Sequence, residues 1–492
     1  MWSKYVVIAL AFVMVALLVV RLQLIGSYRT DIAGAEFNVV YGVQKVMLGR
    51  PLYEDPELPP FDIIQYTPLY YWVCGGVGKV LGIDPMDPHK VFVLSRVLSL
   101  IFNAITVLLM YTAMVRVVAR RYAAWAALLA FAAFSQHFFS RSDALYALFF
   151  IAALHSFMHW LDGGEKRNIH LALTAVCAAL SFMAKQTGVL IIGLIPLYLV
   201  LAREWRPLLR YVILIAASLG ACLLLIAAVV PFDLFIKNTV QGLMNGTSTR
   251  FLEVLVQPHL YVYYIGWHIA SLLLIVPLWR SHRPLLRFFA VALPVSLVFS
   301  FVTATKSGSD FNYFFENMVL CFMALALYFA HGEAQRAATE RWRRMQRWIA
   351  MATMVYGLAF AVHRTRMFRD WSLHHNDPVE LLAGYNEDLQ VREVLKGELG
   401  LRADEGVFIT YRGYLEHLMV GQSMLTQKDI IEWSVVPPFD YTRFDRAMRD
   451  GSIRYVISEE PVETLHFLGR SYTGFHQVRH IGTRYILART PD

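Results

Sequence analysis

Apolar runs long enough to cross a bilayer recur along the first three quarters of the chain. They fall near residues 5–25, 91–115, 122–139, 142–161, 169–184, 187–202, 209–231, 259–279, 285–303, 313–331 and 345–362. A hydrocarbon core about 30 Å thick takes about 20 mostly apolar residues as a helix, so these segments predict about 11 spans. A further segment, YTPLYYWVCGGVGKVLGI at 66–83, is short, rich in glycine and aromatic residues, and carries Lys79; it reads as an amphipathic helix lying in the interface. After residue 362 the pattern changes. Helical patterns (PVELLAGYNEDLQVREVLKGEL, FDRAMRDG) alternate with short strand-like runs (GVFIT, RYVIS, HQVRHI, TRYILAR), which predicts a small α/β domain. The expected architecture is an α-helical polytopic membrane protein over 1–362, with a first outer loop at 26–90, and a soluble extracytoplasmic α/β domain over 363–492.

Charge tests the register, because cytoplasmic loops collect Lys and Arg. With the N-terminus inside and eleven spans, sixteen basic residues between Arg116 and Arg347 lie at inner loops and helix ends. The short outer connections after residue 100 hold five: Arg141, Lys185, Lys237, Arg250 and Lys306. The formal net charge of +8 on 492 residues is thereby largely accounted for by topology. No nucleic-acid-binding motif is evident, and membrane lipids are the natural partner of the basic WRRMQR at 342–347. Composition agrees: 57% of residues are hydrophobic, 17% are charged, and the mean hydropathy is +0.46, whereas soluble domains are about a quarter charged. The first apolar segment lacks a small-residue cleavage site and reads as an uncleaved anchor. Four dispersed cysteines suggest neither a disulfide framework nor a metal cluster.

This topology gathers the polar features of the outer face. The loop at 26–90 brings Asp31, Glu36, GRPLY at 49–53 and QYTPLYYW at 65–72. Later turns bring Arg141 and Asp143 in SRSDALYALFF, Lys185 in AKQTG, and Lys306, Asp310, Asn312, Tyr313 and Glu316 in KSGSDFNYFFE. Carboxylates and cations together suit the transfer of a sugar from a phosphate: a base deprotonates the acceptor hydroxyl and cations stabilise the departing phosphate. Asp31 suits the first task, and Lys185, Arg141 and Arg96 suit the second.

In these segments the chain resembles the GT-C glycosyltransferases, integral membrane enzymes that use polyprenyl-phosphate sugars. It is most similar to the family 39 and 87 types, among them protein mannosyltransferases, lipid A aminoarabinose transferases and mycobacterial mannosyltransferases. Asp31 matches the catalytic Asp that follows the first span in that family. GRPLY and QYTPLYYW resemble its loop segments, and RSDALYALFF resembles the site of a second catalytic Asp, here Asp143. AKQTGVL resembles the turn whose Lys approaches the lipid phosphate, and GSDFNYFFE resembles the Asn-Tyr segment before a late span. The resemblance implies inverting transfer of a monosaccharide to a glycan, lipid or protein acceptor on the outer face, with Asp31 as general base. It implies Lys185, Arg96 and Arg141 at the donor phosphate, and Glu36, Asn312 and Tyr313 at the substrate. The family often has Asp-Glu adjacent, whereas Ile32 follows Asp31 here. A cofactor is not specified; a divalent metal serves some branches only.

Each candidate also has a plain structural reading. Asp31 and Asp143 stand where helix N-caps are expected, and Glu36 sits where an acid favours a helix dipole. Lys185 can snorkel to the interface. Tyr53, Tyr66 and Tyr70 read as interfacial belt aromatics. His155 and His159, at i and i+4, have metal-ligand spacing but fall toward the inner end of their span. Asn-Gly-Thr at 245–247 fits a glycosylation acceptor. The alternatives for the whole chain are a lipid-linked sugar flippase or transporter, which should show broken helices or internal repeats, and a non-catalytic scaffold for envelope assembly.

Overall fold

The computed structural model describes residues 2–34, 36–134, 139–163, 167–249, 258–334, 340–411, 413–427, 437–461, 466–467, 470–471 and 474–490. The membrane part contains α1 (Trp2–Ile25), α2 (Glu36–Met47), α3 (Leu69–Val80), α4 (Pro88–Val115), α5 (Arg120–Ala133), α6 (Ser142–Asp162), α7 (Arg167–Ala184), α8 (Val189–Leu201), α9 (Trp205–Val229), α10 (Phe232–Thr239), α11 (Pro258–Trp279), α12 (Pro284–Ala304), α13 (Phe315–Ala334) and α14 (Glu340–His375). Every one of the eleven apolar segments carries a helix. Among the described residues, seven helical stretches are long and apolar enough to cross a membrane by length and composition, and Gln186–Leu201 and Tyr264–Trp279 are shorter apolar helices. Lys166, Arg250 and Arg336, used in the charge count or as its outer members, lie outside the described residues.

The apolar stripes decide what each helix faces. α1 exposes Tyr5, Phe12, Val15 and Val19 and buries Leu10, Leu17 and Leu24, so one side suits lipid and the other packs on α14 and α5. In the loop at 26–90 two short helices pack on each other. α2 is buried along nearly its whole length, including Glu36, Gln44 and Lys45. The glycines of α3 explain how it packs there: a Cβ on Gly75 would stand 2.6 Å from Val46 Cγ1, and one on Gly42 of α2 would stand 2.5 Å from Tyr71 Cε1. Those glycines let two short helices touch backbone to side chain. Tyr53 and Tyr70 are interior, not belt, residues.

α14 runs through residue 362 to His375 without a break, and only then does the second unit begin. It comprises α15 (Pro378–Glu393), α16 (Thr442–Asp450) and the strands β1 (Gly406–Ile409), β2 (Gln422–Met424), β3 (Ile453–Ser458), β4 (His466–Phe467), β5 (Arg470–Ser471), β6 (Phe475–Ile481) and β7 (Arg484–Arg489). The main sheet has the order β2-β1-β3-β7-β6. β1 is parallel to both β2 and β3, while β7 is antiparallel to β3 and to β6. This unit is docked on the loop at 26–90. Phe61 and Ile63 join the apolar cluster of Phe408, Met424 and Phe444. Thr426 Oγ1 donates to Asp62 Oδ1 at 2.7 Å, Leu425 N to Pro60 O at 2.7 Å, and Gln427 Nε2 to Asn38 O at 3.2 Å.

Candidate active site

The turn between α7 and α8 sets the first phosphate-binding candidate. A Cβ on Gly188 would stand 2.3 Å from the backbone nitrogen of Phe182, so only glycine lets the chain fold back so tightly. Lys185, at the head of that turn, is 4% exposed. Its Nζ lies 2.7 Å from Asp143 Oδ1 and over the Tyr313 ring, 5.1 Å from its centre. Asp143 is the second residue of α6, and Arg141 Nε reaches its other oxygen at 3.3 Å. Asn312 Nδ2 also donates to Asp143 Oδ1, at 2.7 Å. Asp143 therefore does not cap its helix; it gathers two cations and an amide. Burial pulls the Lys185 ammonium down, but Asp143, with Tyr313 and Tyr66, outweighs it and holds its pKa above the ordinary lysine value.

Arg141 links this cluster to the first loop. Its Nη1 donates to the carbonyls of Ala33 at 2.9 Å and Gly34 at 3.0 Å, and its Nη2 to Tyr66 Oη at 3.1 Å. Beside it opens a cavity of about 130 Å³, whose walls include Asn38, Tyr66, Arg141, Asn245, Lys306 and Asn312. Lys306 is half-buried. Burial, reinforced by Lys185 and Arg141, pushes its ammonium down to about 7.

Glu36 and Arg96 form a separate structure. Arg96 Nε and Nη2 each meet a Glu36 oxygen at 3.0 Å, and both side chains are 0% exposed. Arg96 also donates to the carbonyls of Leu24, Ile25, Ser27 and Arg29. Glu36 accepts from the backbone of Ile32 at 3.0 Å and of Ser140 at 3.1 Å. The pair clasps residues 24–36 against the start of the Arg141 segment. Neither side chain lines the cavity, so both differ from the substrate-side positions expected for them: a guanidinium whose donors all have partners has none to offer a phosphate.

Asp31 is not a helix cap either, because α2 begins only at Glu36. It lines a second cavity, of about 560 Å³, between the first loop and the C-terminal unit, together with Tyr28, Tyr385, Asp388 and Arg484. Asp31 thus faces one cavity while Gly34, three residues on, lines the other. The loop 31–34 is the wall between them.

The structure therefore brings Arg141, Asp143, Lys185, Asn312 and Tyr313 together, sets Glu36 with Arg96 behind the loop, and turns Asp31 to the opposite cavity. Lys306 stood among the outer polar residues but without a role. Asn245 was visible only as a glycosylation tripeptide; at 4% exposed and facing the cavity it is no such acceptor. Tyr66 is a hydrogen-bonding wall residue, not a belt aromatic. Asn38 and Gln427 carried no sequence signal, because lone amides on a helix and in a loop match no motif. His155 and His159 pack with His170 and Arg116 at the far end of α6. Among the described residues no three His, Cys, Asp or Glu side chains are grouped to hold a metal ion.

No protein-family model matches the chain, and no curated protein matches it in sequence. Its fold does match solved structures. ArnT from Cupriavidus metallidurans bound to undecaprenyl phosphate superposes with a TM-score of 0.60 at 14% identity, covering 99% of this chain and 98% of that one. The archaeal oligosaccharyltransferase AglB from Archaeoglobus fulgidus, in complex with an inhibitory peptide and a dolichol-phosphate, gives 0.58 at 11% identity over 94% of this chain and 69% of that one. The arabinofuranosyltransferase AftD from Mycobacteria gives 0.53 at 13% identity over 99% and 42%. The chain has the GT-C fold that its motifs resemble, with a small C-terminal sheet unit.

Proposed function

We propose that the protein transfers a monosaccharide from a polyprenyl-phosphate donor to a hydroxyl-bearing acceptor on the extracytoplasmic face of the membrane. The observation that carries this reading is the Arg141–Asp143–Lys185 cluster, buried at the ends of α6 and α7 beside a cavity that Lys306 also lines. That cluster suits a phosphate entering from lipid. The ArnT structure similar to this chain holds undecaprenyl phosphate, which is the class of carrier proposed here.

In the proposed reaction the donor phosphodiester lies against Lys306, Arg141 and Lys185. The acceptor oxygen attacks the anomeric carbon while the Asp31 carboxylate takes its proton, a step that requires the 31–34 loop to turn Asp31 from the larger cavity it lines toward the donor. The bond from that carbon to the phosphate oxygen breaks, and the electron pair leaves on the polyprenyl phosphate. Charge grows on that phosphate as the bond lengthens, so fixed cations stabilise the transition state more than the ground state. Asp143 acts as the anchor that keeps Lys185 and Arg141 in position, a change from the catalytic part expected of it. Glu36 and Arg96 hold the loop that carries Asp31. The inverted anomer follows from a single in-line displacement.

The test is purified protein in nanodiscs with a panel of radiolabelled polyprenyl-phosphate monosaccharides. Release of polyprenyl phosphate coupled to label in an acceptor supports the reading. Movement of an intact lipid-linked sugar across a bilayer without cleavage would replace it by the flippase alternative.

A further inference from the structure

Three asparagine side chains line the cavity beside Arg141: Asn38, Asn245 and Asn312. Each is at most 6% exposed, and the amide oxygen of each is buried with no hydrogen-bond partner among the described residues. Two of these orientations are fixed by the network. Asn312 Nδ2 donates to Asp143 Oδ1 at 2.7 Å and Asn245 Nδ2 donates to Ser307 O at 3.2 Å, so turning either amide over would set oxygen against oxygen. An unpaired buried acceptor costs about 1–3 kcal/mol. Three of them around one small space describe a site built for a ligand that donates hydrogen bonds.

A phosphate cannot be that ligand's recognised part, since its oxygens only accept. Hydroxyls and ammonium groups both donate, and the other wall residues separate the two. Arg141 and Lys306 face the cavity with Asp310 as the one acidic wall residue among the described residues, so a further cation would meet repulsion. Size narrows the class again. At about 130 Å³ the space is comparable to an engineered cavity of about 150 Å³ that admits benzene, which is room for one ring and no more.

We propose that this cavity receives the transferred sugar itself, a single ring bearing hydroxyls and no ammonium group, with the amide oxygens of Asn38, Asn245 and Asn312 accepting its hydroxyl protons. The inference rests on the glycosyl-transfer reading and deepens it. The phosphate then sits at the cavity's edge by Lys306 and Arg141. Gln427, which lines the same space and donates to the Asn38 carbonyl, makes the C-terminal unit a wall of the sugar site.

Binding and transfer of short-chain prenyl-phosphate sugars are measured in parallel, for a parent hexose, its single-deoxy forms and an aminosugar. In the wild type, removing the hydroxyl that meets an amide oxygen weakens binding about 3–10-fold. In the matching variant among Asn38→Ala, Asn245→Ala and Asn312→Ala that penalty falls to near unity, the sign of a direct contact. Asn38→Ala removes no partner of its amide oxygen, so it keeps the test open if the other two fail to fold. The aminosugar donor binds at least about 10-fold more weakly than the parent, and Asn38→Asp narrows the gap by placing a carboxylate among the cations.

Deoxy donors bound as tightly as the parent, or penalties unchanged in every folded variant, overturn the sugar site. Tighter binding of the aminosugar overturns its neutral class. Coupled binding without transfer keeps this inference and removes the enzymatic reading, and transfer without coupling does the reverse. Failure to bind or transfer any such donor removes both.

Discussion

If Lys306 meets the donor phosphate, donor affinity depends on pH in a way that the cavity dictates. Burial and the neighbouring Lys185 and Arg141 hold the empty-site ammonium at about 7. The donor's phosphodiester carries one fixed charge across the neutral range, so the lysine is the group that changes. Below the lysine's pKa the ammonium is present and binds directly; above it, binding must first recruit a proton. With a pKa near 7 the charged fraction is about 97% at pH 5.5 and about 3% at pH 8.5, so affinity falls about 30-fold across that range. At pH 7 binding takes up about half a proton, because the phosphate restores the ammonium. The groups facing Lys306 are Lys185, held charged by Asp143, together with Arg141, Asp310, Tyr66 and Tyr313. Calorimetry in two buffers of different ionisation heat counts the proton, and titrations at pH 5.5, 7.0 and 8.5 give the slope. Lys306→Met flattens the profile near the wild-type value at high pH, and Lys306→Arg flattens it near the value at low pH. A wild-type affinity constant across the range, or the same slope in the Met variant, refutes the reasoning.

Five further outcomes follow from the geometry. Asp31→Asn should lower transfer by about 10²–10⁴-fold with donor affinity and thermal stability near wild type, read by single-turnover transfer. Asp143→Asn leaves two buried cations without their carboxylate, which costs about 3–5 kcal/mol, so its melting temperature and activity should fall together. Lys185→Met should reduce transfer per folded molecule, and normal kcat and KM there would remove Lys185 from the site. Gly188→Ala forces the turn open against the Phe182 backbone and should cost about 1–3 kcal/mol in thermal unfolding. With the native cysteines replaced, Cys at Ser452 should react with an impermeant maleimide in intact cells and Cys at Ser281 only after permeabilisation; early labelling at Ser281 reverses the topology.

The helices were legible because lipid imposes a simple demand: about 20 apolar residues satisfy the backbone within themselves wherever they occur. The strands β1, β3 and β7 were legible for a related reason, their short apolar runs, and the mostly polar β6 was legible as a strand-like segment beside them. β2, three residues inside a loop, had too little pattern to read. In the site, Asp143 and Lys185 were visible as charges next to spans, where burial is costly and demands a partner. Which partner was not visible. Arg96 looked like a phosphate ligand in sequence because its acid, Glu36, lies sixty residues away, and only the fold joins them. Asn312 was legible from its Asn-Tyr segment, whereas Asn38 was invisible for a different reason: it becomes notable only once a cavity surrounds its unpaired oxygen.

The unbroken helix α14 imposes a rule on anyone exchanging parts between such proteins. Its 36 residues span about 54 Å, from the basic end of the bundle to the loop at 26–90, where Arg29 Nη1 holds the carbonyl of His375 at 2.7 Å and Ser27 meets Asn376. It behaves as a rigid axle whose far end carries the sheet unit. Adding one residue within it turns that unit by about 100° and advances it by about 1.5 Å, which would swing Gln427 and Thr426 off the first loop. Chimaeras should therefore be cut after His375 with both the phase and the length of the helix preserved, because even seven inserted residues, close to two whole turns, advance the unit by about 10.5 Å off the first loop.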